Sequence, residues 1–84
     1  MQIFVTAHAL QRMQERGTDP NSIQDRIALA EPALDALERR TRVALVGQDP
    51  PVILDFRPPS NVTVVTVLPH RAGVGGRRLV KLSC

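Results

Sequence analysis

A change of hydrophobic pattern near residue 41 constrains this chain more than any other feature. Before it, apolar residues recur at helical spacing; after it come short runs rich in valine, isoleucine and leucine, divided by glycine- and proline-bearing turns. Helices first and strands afterwards predict an α+β fold, with two N-terminal helices packed on a four- to five-stranded antiparallel sheet. With 84 residues in all, the expectation is a single domain spanning 1–84. A chain of this size buries only about 60–65% of the surface its unfolded form exposes, so a partner or a dimer adds usefully to stability.

The front half carries explicit start and stop signals. A short β-prone run, Gln2–Val5, leads to Thr6, whose hydroxyl can cap a helix over Ala7–Arg16 that Gly17 ends. Ala9, Leu10 and Met13 form its apolar stripe, expected to be buried, while His8, Arg12 and Arg16 recur every four residues on a neighbouring, partly exposed stripe. Asp19 followed by Pro20 starts a second helix, with Ile23, Ile27 and Ala30 on its buried face. Glu31-Pro32 is expected to end or kink it. Residues 33–40 then read as a short helical extension or an irregular link, since Leu34 and Leu37 suit one more turn.

The back half reads as a meander: runs at 43–46, 52–56 and 62–68, with turns at 47–51 and 58–61. In the last run Val62, Val64 and Thr66 are expected to face one way and Thr63, Val65 and Val67 the other, which covers both faces and places the strand inside the sheet. Residues 69–76 are glycine-rich and turn-like, and 77–82 read as a final edge strand with Leu79 and Lys81 on opposite faces.

Charge is unevenly distributed. The net charge is +3 and the sequence pI about 10.5. Every acidic residue precedes Arg57, and Arg71, Arg77, Arg78 and Lys81 follow with no acid among them. A locally positive C-terminal part favours RNA or an acidic protein partner. A lone cysteine, Cys84, excludes an internal disulfide, and the opening residues lack the basic n-region of a signal peptide. No apolar run approaches the roughly 20 residues that span a bilayer. These features predict a cytoplasmic protein without membrane contact.

Two constellations can carry chemistry. On the first helix, His8, Arg12 and Arg16 place an imidazole and two guanidiniums along one side, donors suited to phosphate oxygens. The competing reading pairs Arg12 and Arg16 with Glu15 or Asp19 and leaves His8 near the helix cap. At the end of the longest run, His70-Arg71 leads through glycines to Arg77-Arg78, where a strand end and loop can present reactive groups. If the two meet, His8 and His70 supply acid and base while Arg12 and the phosphate-binding set Arg16, Arg71, Arg77 and Arg78 offset charge on a phosphoryl transition state. No phosphate-binding lysine loop, zinc spacing or serine elbow is present, so no metal or cofactor is expected. Phe4 and Phe56 are the only aromatics, so contact with a nucleic-acid backbone rather than stacking is expected to dominate.

The segment VTAHALQRMQERGTDPNSI carries the pattern H-A-x-x-R-M-x-x-R-G on His8, Ala9, Arg12, Met13, Arg16 and Gly17. With the later VTVVTVLPHR and RRLVKL, it resembles a family of small bacterial and phage domains similar to the RelE-like and BrnT-like ribonuclease toxins. That resemblance implies a RelE/barnase-like fold and metal-independent RNA cleavage by a toxin that an antitoxin neutralises. His8 and Arg12 match the helix motif; His70 corresponds only by position. The longer link at 33–40 and the pairs Pro50-Pro51 and Pro58-Pro59 depart from the family pattern. The leading expectation is thus a small ribonuclease-like toxin or effector cleaving phosphodiesters without a metal. The alternative is a non-catalytic basic binding module, possibly phage-encoded, that engages a host protein or nucleic acid. A homodimer through the edge at 77–82 is a third expectation.

Overall fold

The helices begin and end where short side chains and glycine dictate. In a computed structural model describing residues 1–48, 50–70, 73 and 78–82, strand β1 (Gln2–Val5) runs into α1 (Ala7–Arg16). Thr6 Oγ1 accepts from the Ala9 N–H, 3.0 Å away, and Gly17 closes the helix in the left-handed region at φ 65°. Asp19 caps α2 (Pro20–Asp35) by accepting from the Asn21 N–H at 2.9 Å. Strands β2 (Thr41–Val46), β3 (Val52–Arg57), β4 (Asn61–Val67) and β5 (Arg78–Lys81) complete the chain.

Proline did not stop the second helix. α2 continues through Pro32 to Asp35, because the Ala28 carbonyl that loses its donor lies on an exposed residue, where water can satisfy it. Continuing also brings Leu34 into the core, fully buried, with Leu37 packed beside it. On α1, Ala9 and Met13 are buried as expected, but Leu10 is 45% exposed, because it lies about a quarter turn round the helix from Ala9.

The five strands lie in the order β1-β4-β3-β2-β5. The meander β2-β3-β4 is antiparallel, whereas β1 pairs parallel with β4 and β5 parallel with β2. The sheet is therefore mixed, not purely antiparallel. Short turns force antiparallel pairing only between the strands they join; β1 and β5 enter across long connections that impose no such direction.

Both helices cover one face. Ala9, Met13, Ile23, Ile27, Ala30 and Leu34 join Val43, Leu45, Val52, Leu54, Phe56, Val62, Val64 and Val67 in a single buried cluster. Along β4 the alternation changes phase: Leu54 faces Val64 but Ile53 faces Thr66, which leaves Val65 as a bulge residue. Val67, not Thr66, therefore points to the core beyond that point. On β5, Val80 and Leu82 face the cluster, while Leu79 and Lys81 pair with Ala44 and Val46 and share the other face, as a period of two requires.

Two polar devices fix the turn end of the sheet. Arg26 of α2 is buried, and its Nη1 donates to the Pro50 carbonyl at 2.6 Å, tying helix to turn. Gly47, at φ 94°, lets Leu82 approach so that the Leu82 N–H donates to the Val46 carbonyl at 2.7 Å. No helix among the described residues is long and apolar enough to cross a membrane.

Candidate nucleic-acid interface

The first-helix constellation is positioned by the seam between α1 and β4. Thr6 Oγ1 donates toward the Val64 and Val65 carbonyls at 3.3 and 3.2 Å, which docks the start of α1 on β4. Two residues on, His8 Nε2 lies 3.1 Å from Thr66 Oγ1. At the far end, His70 Nε2 donates to the Arg16 carbonyl at 3.4 Å. The two imidazoles thus meet the same helix at its first turn and its last residue, about 12 Å apart along the axis at 1.5 Å per residue. That spacing does not place both within reach of one 2′-hydroxyl and its leaving oxygen.

Glu15 gathers the guanidiniums of this helix. Arg12 pairs with it closely, Arg16 Nη1 lies 3.8 Å from it, and Gln11 donates to it at 3.5 Å. Its pKa is lowered, first by the Arg12 hydrogen bond and further by the charges of Arg12 and Arg16, with partial desolvation opposing. Arg12 and Arg16 therefore spend much of their charge locally. Of the remaining expected phosphate ligands, Arg78 lies exposed on β5, and Arg71 and Arg77 fall outside the described residues.

The face of the sheet away from the helices gathers charge that the helix motif does not signal. Register places Phe4, Thr63, Asp55 and Arg42 in one row across four strands, with Gln2, Asn61 and Arg57 in the next. Arg40, just before β2, forks onto Asp55: its Nη2 donates to Oδ2 at 2.7 Å, and its Nε donates to both carboxylate oxygens at 3.2 Å. Three guanidiniums, Arg40, Arg42 and Arg57, surround one carboxylate. Neighbouring strands and alternate residues keep Arg42 and Arg57 within about 8 Å at the backbone, so their fields add. Both are exposed, whereas Asp55 is buried.

The same surroundings hold the Asp55 carboxyl below its usual value, through the Arg40 hydrogen bond first and then the charges of Arg40, Arg42 and Arg57, against the opposing effect of burial. A carboxyl lowered in the fold stabilises it above the unfolded-state pKa, and that contribution fades as pH falls toward the folded value. We therefore expect the stability gap between wild type and Asp55→Asn, read as a urea midpoint, to be constant from about pH 7 to 5 and to shrink below about pH 4. A gap that persists undiminished to pH 2 would show that ionisation is not its source.

Strand alternation held the signal for this face. Arg42, Asp55 and Arg57 all stand at outward positions of β2 and β3, but only once the strand bounds and their register are known do they become neighbours. No enclosed pocket opens among the described residues; Arg42 and Arg57 lie exposed, while Ala44 and Ile53 on the same face are buried. The chain matches no protein-family model, no curated protein and no solved structure.

Proposed function

We propose that this protein binds single-stranded RNA at the arginine-bearing part of the sheet face opposite the helices, as the non-catalytic form of the RNA-directed toxin or effector reading. The observation that carries it is the crowding of Arg40, Arg42 and Arg57 round Asp55 on the face opposite the two described helices. Guanidiniums take phosphate oxygens in forked geometry, and Arg42 and Arg57 stand exposed to a strand laid across them, although the same face is buried farther along at Ala44 and Ile53. Gln2, Asn61 and Thr63 in the same rows add amide and hydroxyl partners for sugars and base edges.

Titrating a labelled single-stranded RNA between about 50 and 200 mM salt tests this, because phosphate contacts from Arg42 and Arg57, the two cations not bonded to Asp55, give a log–log slope of about −1.4. Asp55→Asn removes the carboxylate that Arg40 holds and is expected to tighten binding at low salt while lowering stability. Binding that is absent at micromolar protein, or indifferent to salt, defeats the proposal.

One observation favours a cleaving variant of the same reading: the His8 ring is steadied against Thr66, with Arg12 one turn along α1. His8 would then take the proton of a 2′-hydroxyl, the 2′-oxygen would close on phosphorus as a cyclic phosphate, and solvent would protonate the departing 5′-oxygen. RNA recovered intact after incubation with concentrated protein in chelator decides for binding alone. Cleavage that His8→Ala abolishes, with the fold retained, decides for the enzyme.

A further inference from the structure

We propose that β1 is a self-pairing edge through which two copies of this chain join into one continuous sheet, an association that does not depend on the RNA reading. β1 ends the strand order, and the direction of its backbone groups follows from its bonds. Gln2 and Thr6 donate their N–H groups toward β4, to the Ser60 carbonyl at 2.9 Å and the Val64 carbonyl at 3.3 Å. Backbone direction alternates along a strand, so Phe4 also turns to β4, while Ile3 and Val5 present their N–H and C=O groups outward.

These two residues are spaced for a two-fold axis through Phe4. In an antiparallel pair of β1 strands, Ile3 of each copy exchanges both backbone bonds with Val5 of the other, and the two Phe4 residues face each other at a non-hydrogen-bonded position. Ile3 and Val5, already packed against the core cluster, then extend it across the junction as β-branched cross-strand pairs. On the opposite face Phe4, 52% exposed, gains an aromatic partner.

Charge selects a second copy of β1 over the other edge. Residues 1–7 carry no charged side chain, so self-pairing sets no like charges together, and the strand has neither lysine nor proline to guard it. At β5 the Leu82 N–H turns to β2, which leaves Leu79 and Lys81 with outward backbone groups. Self-pairing there would crowd Lys81 and Arg78 of two copies, the usual protection of an edge. The dimerising edge is therefore β1, not the C-terminal strand.

A four-residue edge buries less than a standard interface, so dissociation in the micromolar to millimolar range is expected. Sedimentation equilibrium of nuclease-treated protein, in high salt and up to about 1 mM chain, should give a mass that rises with concentration from one chain toward two. Phe4→Lys should return it to the chain mass, and Leu79→Lys should leave the dimer intact. In a Cys84→Ser background, Phe4→Cys should form an interchain disulfide on oxidation, since facing non-hydrogen-bonded residues lie about 4.5 Å apart at Cα. Gln2→Cys, displaced from the axis, should not. A wild type that stays monomeric throughout, as it would if the edge served another protein's strand, a dimer that survives Phe4→Lys, or cross-linking at position 2 as fast as at position 4 overturns the proposal.

Discussion

Gly47→Ala is expected to remove about 3 kcal/mol or more of stability, much of what a domain of this size possesses. Two costs coincide at this residue. Its φ of 94° lies in the region that L side chains rarely adopt, and a Cβ there would sit 2.3 Å from the Leu82 carbonyl oxygen, with the Leu82 nitrogen and carbonyl carbon at 3.1 and 3.2 Å. The obstruction is backbone, so no side chain can swing aside. Relief requires the end of β5 to leave β2, which breaks the Leu82 to Val46 hydrogen bond and withdraws Leu82 from the core. Gly17→Ala separates the two costs, since its φ is also positive but nothing lies within 4 Å of the added carbon. That variant should lose only about 1 kcal/mol. Chemical denaturation of both variants reads the difference, and equal losses would mean that the contact with Leu82 contributes nothing.

Reversing charge at Arg42 and Arg57 together is expected to weaken RNA binding on the order of 10²-fold near 0.1 M salt. Each lost phosphate contact on a single strand lowers affinity about fivefold at that salt, and two glutamates add repulsion. Replacing both residues by glutamine should cost about 25-fold and reduce the salt slope from about −1.4 to near zero, since Arg40 is held on Asp55. Both side chains are exposed at the sheet surface, so circular dichroism and the urea midpoint should move little with glutamine. Fluorescence anisotropy on the two double variants checks the result. Undiminished affinity, or a loss that instead follows Arg12→Gln and Arg16→Gln, would transfer the interface to the first helix.

The two surfaces that matter were not equally readable. On α1 the capping threonine, the stop at Gly17 and the row His8, Arg12, Arg16 could all be placed from spacing, because a helix repeats over a few residues and its neighbours are local. Even so, the pairing of Arg12 and Arg16 with Glu15 draws charge from the very row that suggested a phosphate site. His70 does reach α1, but at its last residue rather than beside His8, a separation that depends on how far helix and strand slide along each other.

Local chemistry along the chain determined where the helices start and that three runs joined by tight turns form a meander; each depends on contacts within a few residues. Tertiary structure alone decided that β1 and β5 enter parallel, that α2 passes Pro32 to bury Leu34, and that Arg40, Arg42 and Arg57 converge on Asp55. Those outcomes join residues far apart in the chain, and their energies arise from register and burial once the strands are laid side by side.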